Sequence, residues 1–121
     1  MALPPDPART RAERYGRWAE TVAVALLVCQ GFRILGRRCR THAGEIDIVA
    51  RRGRLVIACE VKARRRAEPE VVAPRQWRRI GTALDAYIAR RPALAHCDRR
   101  FDLVELVAGG LPRHRRDVWR P

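Results

Sequence analysis

Gly44-Glu45-Ile46-Asp47-Ile48-Val49-Ala50, a basic turn Arg51-Arg52-Gly53-Arg54, and Leu55-Val56-Ile57-Ala58-Cys59-Glu60-Val61-Lys62 form the stretch from which the fold is read. From Glu45 to Ala50, acids and aliphatic residues alternate, the period of a half-buried strand. Leu55 to Val61 is a β-rich run, and the glycine-containing turn between the two suits a hairpin connection. Strict alternation sends Glu45 and Asp47 to one face, with Ile46 and Ile48 on the other. It likewise puts Glu60 and Lys62 on one face, with Ile57, Cys59 and Val61 opposite.

Upstream, Tyr15, Trp18, Val22, Leu26 and Cys29 recur at helical spacing between about Thr10 and Gln30, and Gly31 closes that helix. Phe32 to Arg40 reads as a strand and Thr41 to Ala43 as a turn. Downstream, Arg64 to Pro74 is polar and irregular, a mobile loop by expectation. Pro74 opens a second helix with an apolar stripe of Trp77, Ile80, Leu84, Tyr87 and Ile88, ended by Arg91-Pro92. Phe101 to Val107 is a further strand, and Gly109-Gly110 turns into a basic tail ending in Val118-Trp119. The expected order is α-β-β-β-α-β, an α/β fold with a mixed central sheet flanked by helices. A strand pair separated by a long helix is most simply parallel. Residues 1–9 read as a flexible lead and 10–121 as one domain, for which 121 residues supply a sufficient core.

A formal net charge of +13, from 26 basic and 13 acidic side chains, favours a polyanionic partner, nucleic acid before an anionic membrane surface. Lys62 is the only lysine among those basic residues; all the others are arginine. The four cysteines (Cys29, Cys39, Cys59, Cys97) show no CxxC pair and no zinc-like spacing to His42, His96 or His114. Cys29 and Cys59 sit in apolar runs, as small buried hydrophobes do. With no signal peptide pattern and no membrane-spanning apolar run, a reducing cytoplasm is the expected compartment and no membrane partner is expected.

Carboxylates in an apolar sheet are costly unless paired or bound to metal. If the two strands are neighbours, Asp47, Glu60 and Lys62 converge at the strand ends. Such a set suits Mg²⁺ (or Mn²⁺), a hard ion that takes oxygen ligands and keeps several waters. The matching chemistry is phosphodiester hydrolysis, in which the metal polarises the phosphate and acidifies a bound water. Lys62 would position or deprotonate that water, or stabilise charge on the phosphorane; its compact amine shifts its pKa readily when desolvated. Glu-x-Lys on a strand is also a common same-face ion pair, and Glu45 or Asp47 could equally pair with Arg37, Arg38 or Arg40.

Together these segments resemble the YraN-like family, which has a restriction-endonuclease-like fold and is related to Holliday junction resolvases. The matching residues are Tyr15-Gly16 with Ala19-Glu20, Gly31-Phe32-Arg33-Ile34-Leu35, and Arg37 with Arg40. Next come Gly44 to Ala50, Glu60-Val61-Lys62 with Arg64, and Arg100-Phe101-Asp102-Leu103-Val104. The family's likeness to PD-(D/E)xK nucleases implies roles at these positions. Asp47 takes the place of the first motif acid, without a preceding proline, and Glu60 with Lys62 forms the second motif. Glu20 is the helix carboxylate that completes the metal site in many relatives; paired with Arg17, it would be merely structural. Gln76 stands where many relatives carry Lys and would contact phosphate or water. Arg38 replaces a usual Asn.

Arginine clusters in the turns suggest a cationic rim around this acidic site, with Arg37, Arg40, Arg64, Gln76 and Arg79 as the expected nucleic-acid contacts. Aromatic residues are few and Trp77 and Tyr87 fit the helix core, so backbone recognition is expected over base reading. The leading expectation is a Mg²⁺-dependent endonuclease acting on DNA, branched or otherwise structured DNA among the candidates. Its alternative is a non-catalytic nucleic-acid-binding module on the same fold, and a basic structural or ribosome-associated protein is third. Branched-DNA resolvases work as dimers, which leaves a homodimer open, although no self-complementary patch is legible.

Overall fold

The computed structural model describes residues 4, 6–66 and 72–121. Helix α1 (Pro7–Cys29) starts three residues before the expected point. The reason is local: Asp6 caps it by accepting from the Ala8 N–H at 3.0 Å, and Pro7 is preset for a first helical turn. Of the lead expected over residues 1–9, positions 1–3 and 5 lie outside the described residues. Of the expected Arg64–Pro74 loop, residues 67–71 lie outside them too, while Arg64 ends β3 and Pro74 opens α2.

Three strands follow α1: β1 (Arg33–Thr41), β2 (Gly44–Arg52) and β3 (Leu55–Arg64). Helix α2 (Pro74–Ala89) and a short 3-10 turn (Pro92–Leu94) lead to β4 (Asp98–Val107) and β5 (Arg113–Trp119). The strands form one five-stranded sheet in the order β1-β2-β3-β4-β5. β3 and β4, joined through α2, are parallel as expected, and the other neighbours are antiparallel. Among the described residues, no helix is long and apolar enough to cross a membrane.

Each helix covers its own face of the sheet. Val56 and Ala58 of β3 pack with Trp77, Ile80, Leu84 and Tyr87 of α2. The intervening Ile57 and Cys59 pack with Ala23 and Leu27 of α1. β3 is thus buried on both sides, which explains its continuous apolar run.

Three expectations need correction. The tail after Gly109-Gly110 is a fifth strand: the Trp119 ring sits 5.1 Å from Phe101 and stacks at 6.5 Å on Trp77. Gly81 permits this contact, since a Cβ there would stand 3.1 Å from the Trp119 ring. The exposed arginines of β5 break the apolar alternation by which a strand is usually recognised.

The stripe of α1 is rotated from the expected one. Ala19, Ala23 and Leu27 are fully buried, whereas Trp18 is 60% exposed and Cys29 faces solvent. From Val22 to Cys29 every residue is apolar, so periodicity does not choose a face, and the alanines permit the closest approach to the sheet. Finally, strict alternation fails in β2: Ile46 belongs to the α2 cluster and Ile48 to the α1 cluster. Ladder pairing of β2 with β3 begins only at Ile48, so Glu45 and Ile46 are held on one edge alone, by Arg40 and Cys39 of β1, next to the left-handed Arg38.

Candidate metal and phosphodiester site

Where β2 leaves its ladder with β3, the Asp47 side chain takes over the pairing. Its Oδ2 accepts from the Val61 N–H at 2.9 Å, so the carboxylate is fixed against the strand that carries Glu60 and Lys62. Glu60 is only 4% exposed, and the half-buried Asp47 carboxylate is near enough to act on its charge. Two carboxylates so placed are relieved by a proton on one of them or by a cation. Burial, and then the Asp47 charge, push Glu60 up to about 8, with Lys62 partly opposing. Asp47 is likewise raised, by burial first; the Val61 hydrogen bond and Lys62 pull it down, while Glu20 and Glu45 push it up. Asp47, Glu60 and Lys62 are therefore close enough to act on one another's charge, as the strand pattern predicted.

Gln76 joins them from the first turn of α2, where its Nε2 donates to Glu60 Oε2 at 3.2 Å. Arg79, one turn on, lines a cavity of about 290 Å³ with Gly44, Glu45, Arg75 and Gln76.

Glu20 is engaged differently. It is 9% exposed, and its Oε1 and Oε2 accept from Arg37 Nε at 3.0 Å and Arg38 Nε at 3.1 Å. Its partners are thus two β1 arginines rather than Arg17, and Arg37 is occupied in holding a carboxylate. Glu20 still lines, with Asp47, a cavity of about 280 Å³. Arg38 adopts φ 50°, the left-handed region that Asn tolerates best after Gly. The Asn expected here from the resemblance would suit this backbone conformation. Arg40 lies apart, paired on the surface with Glu45 at 3.3 Å. Arg64 ends β3, and its carbonyl accepts from the Tyr15 hydroxyl at 3.4 Å.

Two neighbouring carboxyl groups offer an all-oxygen donor pair, which fits a hard divalent cation with water completing its shell. Among the described residues no three His, Cys, Asp or Glu side chains cluster as a ready-made metal cage. The seat is thus a carboxylate pair, with Glu20 held back by its arginines.

Sequence reasoning assigned no role to a second buried acid. Asp102 is fully buried and accepts from Arg100 Nε and Nη2, both at 2.8 Å, and from the Asp117 N–H at 3.1 Å. His114 Nε2 stands 2.8 Å from the same carboxylate, and the Gln30 amide meets His114 Nδ1 at 2.9 Å. Burial alone would raise this carboxyl, but His114, Arg100 and the Asp117 amide outweigh it and hold Asp102 at about 2. Such a satisfied network ties β5 and the end of α1 to β4. Its signal in the sequence was an acid inside the apolar run Phe101 to Val104.

The chain matches the profile of a family described as Uncharacterised protein family UPF0102 over residues 19–106, a span that contains Glu20, Asp47, Glu60 and Lys62. It is 51% identical to a UPF0102 protein of Maricaulis maris over 116 residues, 94% of this chain and 91% of that protein. It is also similar to UPF0102 proteins of Parvibaculum lavamentivorans (48% identical, covering 91% and 84% of the two chains) and Paramagnetospirillum magneticum (43%, covering 98% and 97%). The chain belongs to the UPF0102 family, the YraN family that its motifs resemble.

Proposed function

We propose that the Asp47–Glu60–Lys62 constellation is the centre of a Mg²⁺- or Mn²⁺-dependent endonuclease, on a restriction-endonuclease-like core, that hydrolyses phosphodiester bonds in DNA. One observation carries this reading: the buried Glu60 and the half-buried Asp47 lie close enough at a strand end to act on each other's charge, with Lys62 beside them. A fold gains nothing from burying such a pair, and each group left ionised and unpaired there is destabilising. A divalent cation would resolve the conflict, held by Asp47 and Glu60, and would supply Lewis acidity to a phosphate and a more acidic bound water. Val61 keeps Asp47 in place through its N–H, and Gln76 orients Glu60 from the side of α2. Lys62 is available to hold or move the proton of an attacking water, or to neutralise charge on the phosphate. The net charge of +13 favours the approach of a polyanion.

A second reading is supported by Glu20, whose carboxylate is committed to Arg37 and Arg38. On that reading the protein binds nucleic acid without cutting it. A cleavage panel of duplex, single-stranded, flap and four-way-junction DNA with Mg²⁺ or Mn²⁺ separates the two. Metal-dependent cleavage that Asp47→Ala and Lys62→Ala abolish is the expected result. Cleavage surviving both substitutions would sink the assignment, and salt-sensitive binding without cleavage of any substrate would favour the second reading.

A further inference from the structure

Beside the carboxylate pair, a cavity of about 510 Å³ opens between the first turns of α1 and the end of β3. Its charged lining consists of Arg11, Lys62 and Arg65, with no acid among the described residues. Between these cations the wall is apolar: Val61, Ala63 and Ala108, with the Tyr15 ring. Tyr15 is fixed, since its hydroxyl donates towards the carbonyls of Arg64 (3.4 Å) and Leu106 (3.3 Å). A site for a backbone phosphate alone needs cations and no apolar depth. This one pairs a cationic rim with an immobilised aromatic ring and a volume in the range of small-molecule pockets.

Gly16 adds an independent observation. It lies inside α1, where glycine weakens a helix, yet a Cβ there would meet nothing within 4 Å. No packing contact therefore requires the glycine. It lines this cavity and also the neighbouring one that reaches Asp47 and Glu20. Val61 and Ala63 are shared in the same way, so the two cavities adjoin across these residues. A side chain at position 16 would add bulk at the wall that both cavities share.

We infer that this cavity receives an unpaired nucleotide of the substrate, its base against Tyr15 and the apolar wall and its phosphates against Arg11 and Arg65. The inference rests on the nuclease reading for the identity of the ligand and adds to it a substrate class: DNA with a single-stranded nucleotide beside the scissile bond. A fully paired duplex would leave the pocket empty, because its bases stay in the stack.

The test is binding of a single-stranded oligonucleotide and of a duplex of the same length, in EDTA so that no cleavage intervenes. The variants are Gly16→Leu, which adds bulk to the shared wall, and the double variant Arg11→Ala/Arg65→Ala. Arg54→Ala, in the turn at the other end of β3, removes an exposed charge as a control. Thermal denaturation of each variant verifies folding, and the double variant stands in should Gly16→Leu fail to fold. Loss of one bound nucleotide predicts about tenfold weaker single-strand binding in the variants; duplex binding should stay at the wild-type level in Gly16→Leu and fall in the double variant by no more than twice the logarithmic loss of Arg54→Ala. A 2-aminopurine in the strand should be quenched by wild type and not by Gly16→Leu. Single-strand and duplex binding that fall in equal proportion, or do not fall, would overturn the inference. Cleavage measured in parallel with Mn²⁺ keeps the two claims apart. Cleavage with no strand preference leaves the nuclease reading and removes the pocket. A variant-sensitive preference without cleavage keeps the pocket and removes the nuclease reading.

Discussion

Glu60 of β3 lies near enough to Asp47 of β2 that the Asp47 charge adds to burial in raising the affinity of Glu60 for a proton. In the metal-free protein this relationship makes stability depend on pH. The ordinary value for Glu60 is 4.5 and its folded value about 8. Between these limits the unfolded chain has released a proton that the folded chain retains, so stability falls as pH rises through that window. Melting temperature in EDTA should therefore decline from pH 5 to pH 8 in wild type. Glu60→Gln, which cannot ionise, should flatten the decline and melt higher than wild type at about pH 8. A variant profile parallel to that of wild type would show that the pair does not carry this cost.

Asp102 predicts the opposite slope. Its folded carboxyl titrates at about 2 against an ordinary 3.8. Its stabilisation is complete above the unfolded value and is lost as pH falls through the folded one, an effect of about 2 kcal/mol. Asp102→Asn should flatten the acid limb of a denaturation profile. At neutral pH it should cost about 3 kcal/mol or more, because Arg100 is left without its buried partner. An acid limb as steep as in wild type would contradict this.

The attachment of β5 depends on aromatic contact. Trp119→Ala should destabilise the protein by about 2–4 kcal/mol, a little below the range for a core aromatic ring because Trp119 is half-buried. Gly81→Val should act in the same direction, because its side chain would enter the space held by the Trp119 ring. Urea denaturation followed by tryptophan fluorescence measures both. Wild-type midpoints would show that β5 is not held through this contact.

The pairing of Glu20 with Arg37 and Arg38 gives a further test. Arg37→Ala/Arg38→Ala releases the Glu20 carboxylate beside Asp47. If Glu20 contributes to cation binding, the double variant should bind Mn²⁺ more tightly than wild type by a fewfold, measurable by calorimetry. Unchanged affinity would leave Glu20 a structural partner of β1.

How much could be read from the residues follows from their chemistry. The alternation from Glu45, the β-rich run ending at Glu60 and the stripe from Trp77 to Ile88 are local patterns, and the structure keeps all three elements. The parallel β3–β4 pair followed from the length of the connection alone. α1 was legible as a helix but not in its orientation, because Val22 to Cys29 is apolar on every side. β5 was hidden by Arg113, Arg115 and Arg116, and its evidence lies in a tertiary contact of Trp119 with Trp77 and Phe101. Asp47, Glu60 and Lys62 were brought together as expected. The partners of Glu20 were not foreseeable, because they depend on how α1 is turned against β1.

Calorimetric titration of Mn²⁺ into the wild-type protein, Asp47→Asn and Glu60→Gln at pH 8 tests the metal seat most directly. Saturable binding to wild type, lost in both variants, is the predicted result, since each substitution removes one of the two carboxylates. Equal heats from all three proteins would contradict it, leaving Asp47 and Glu60 an acid pair without a cation.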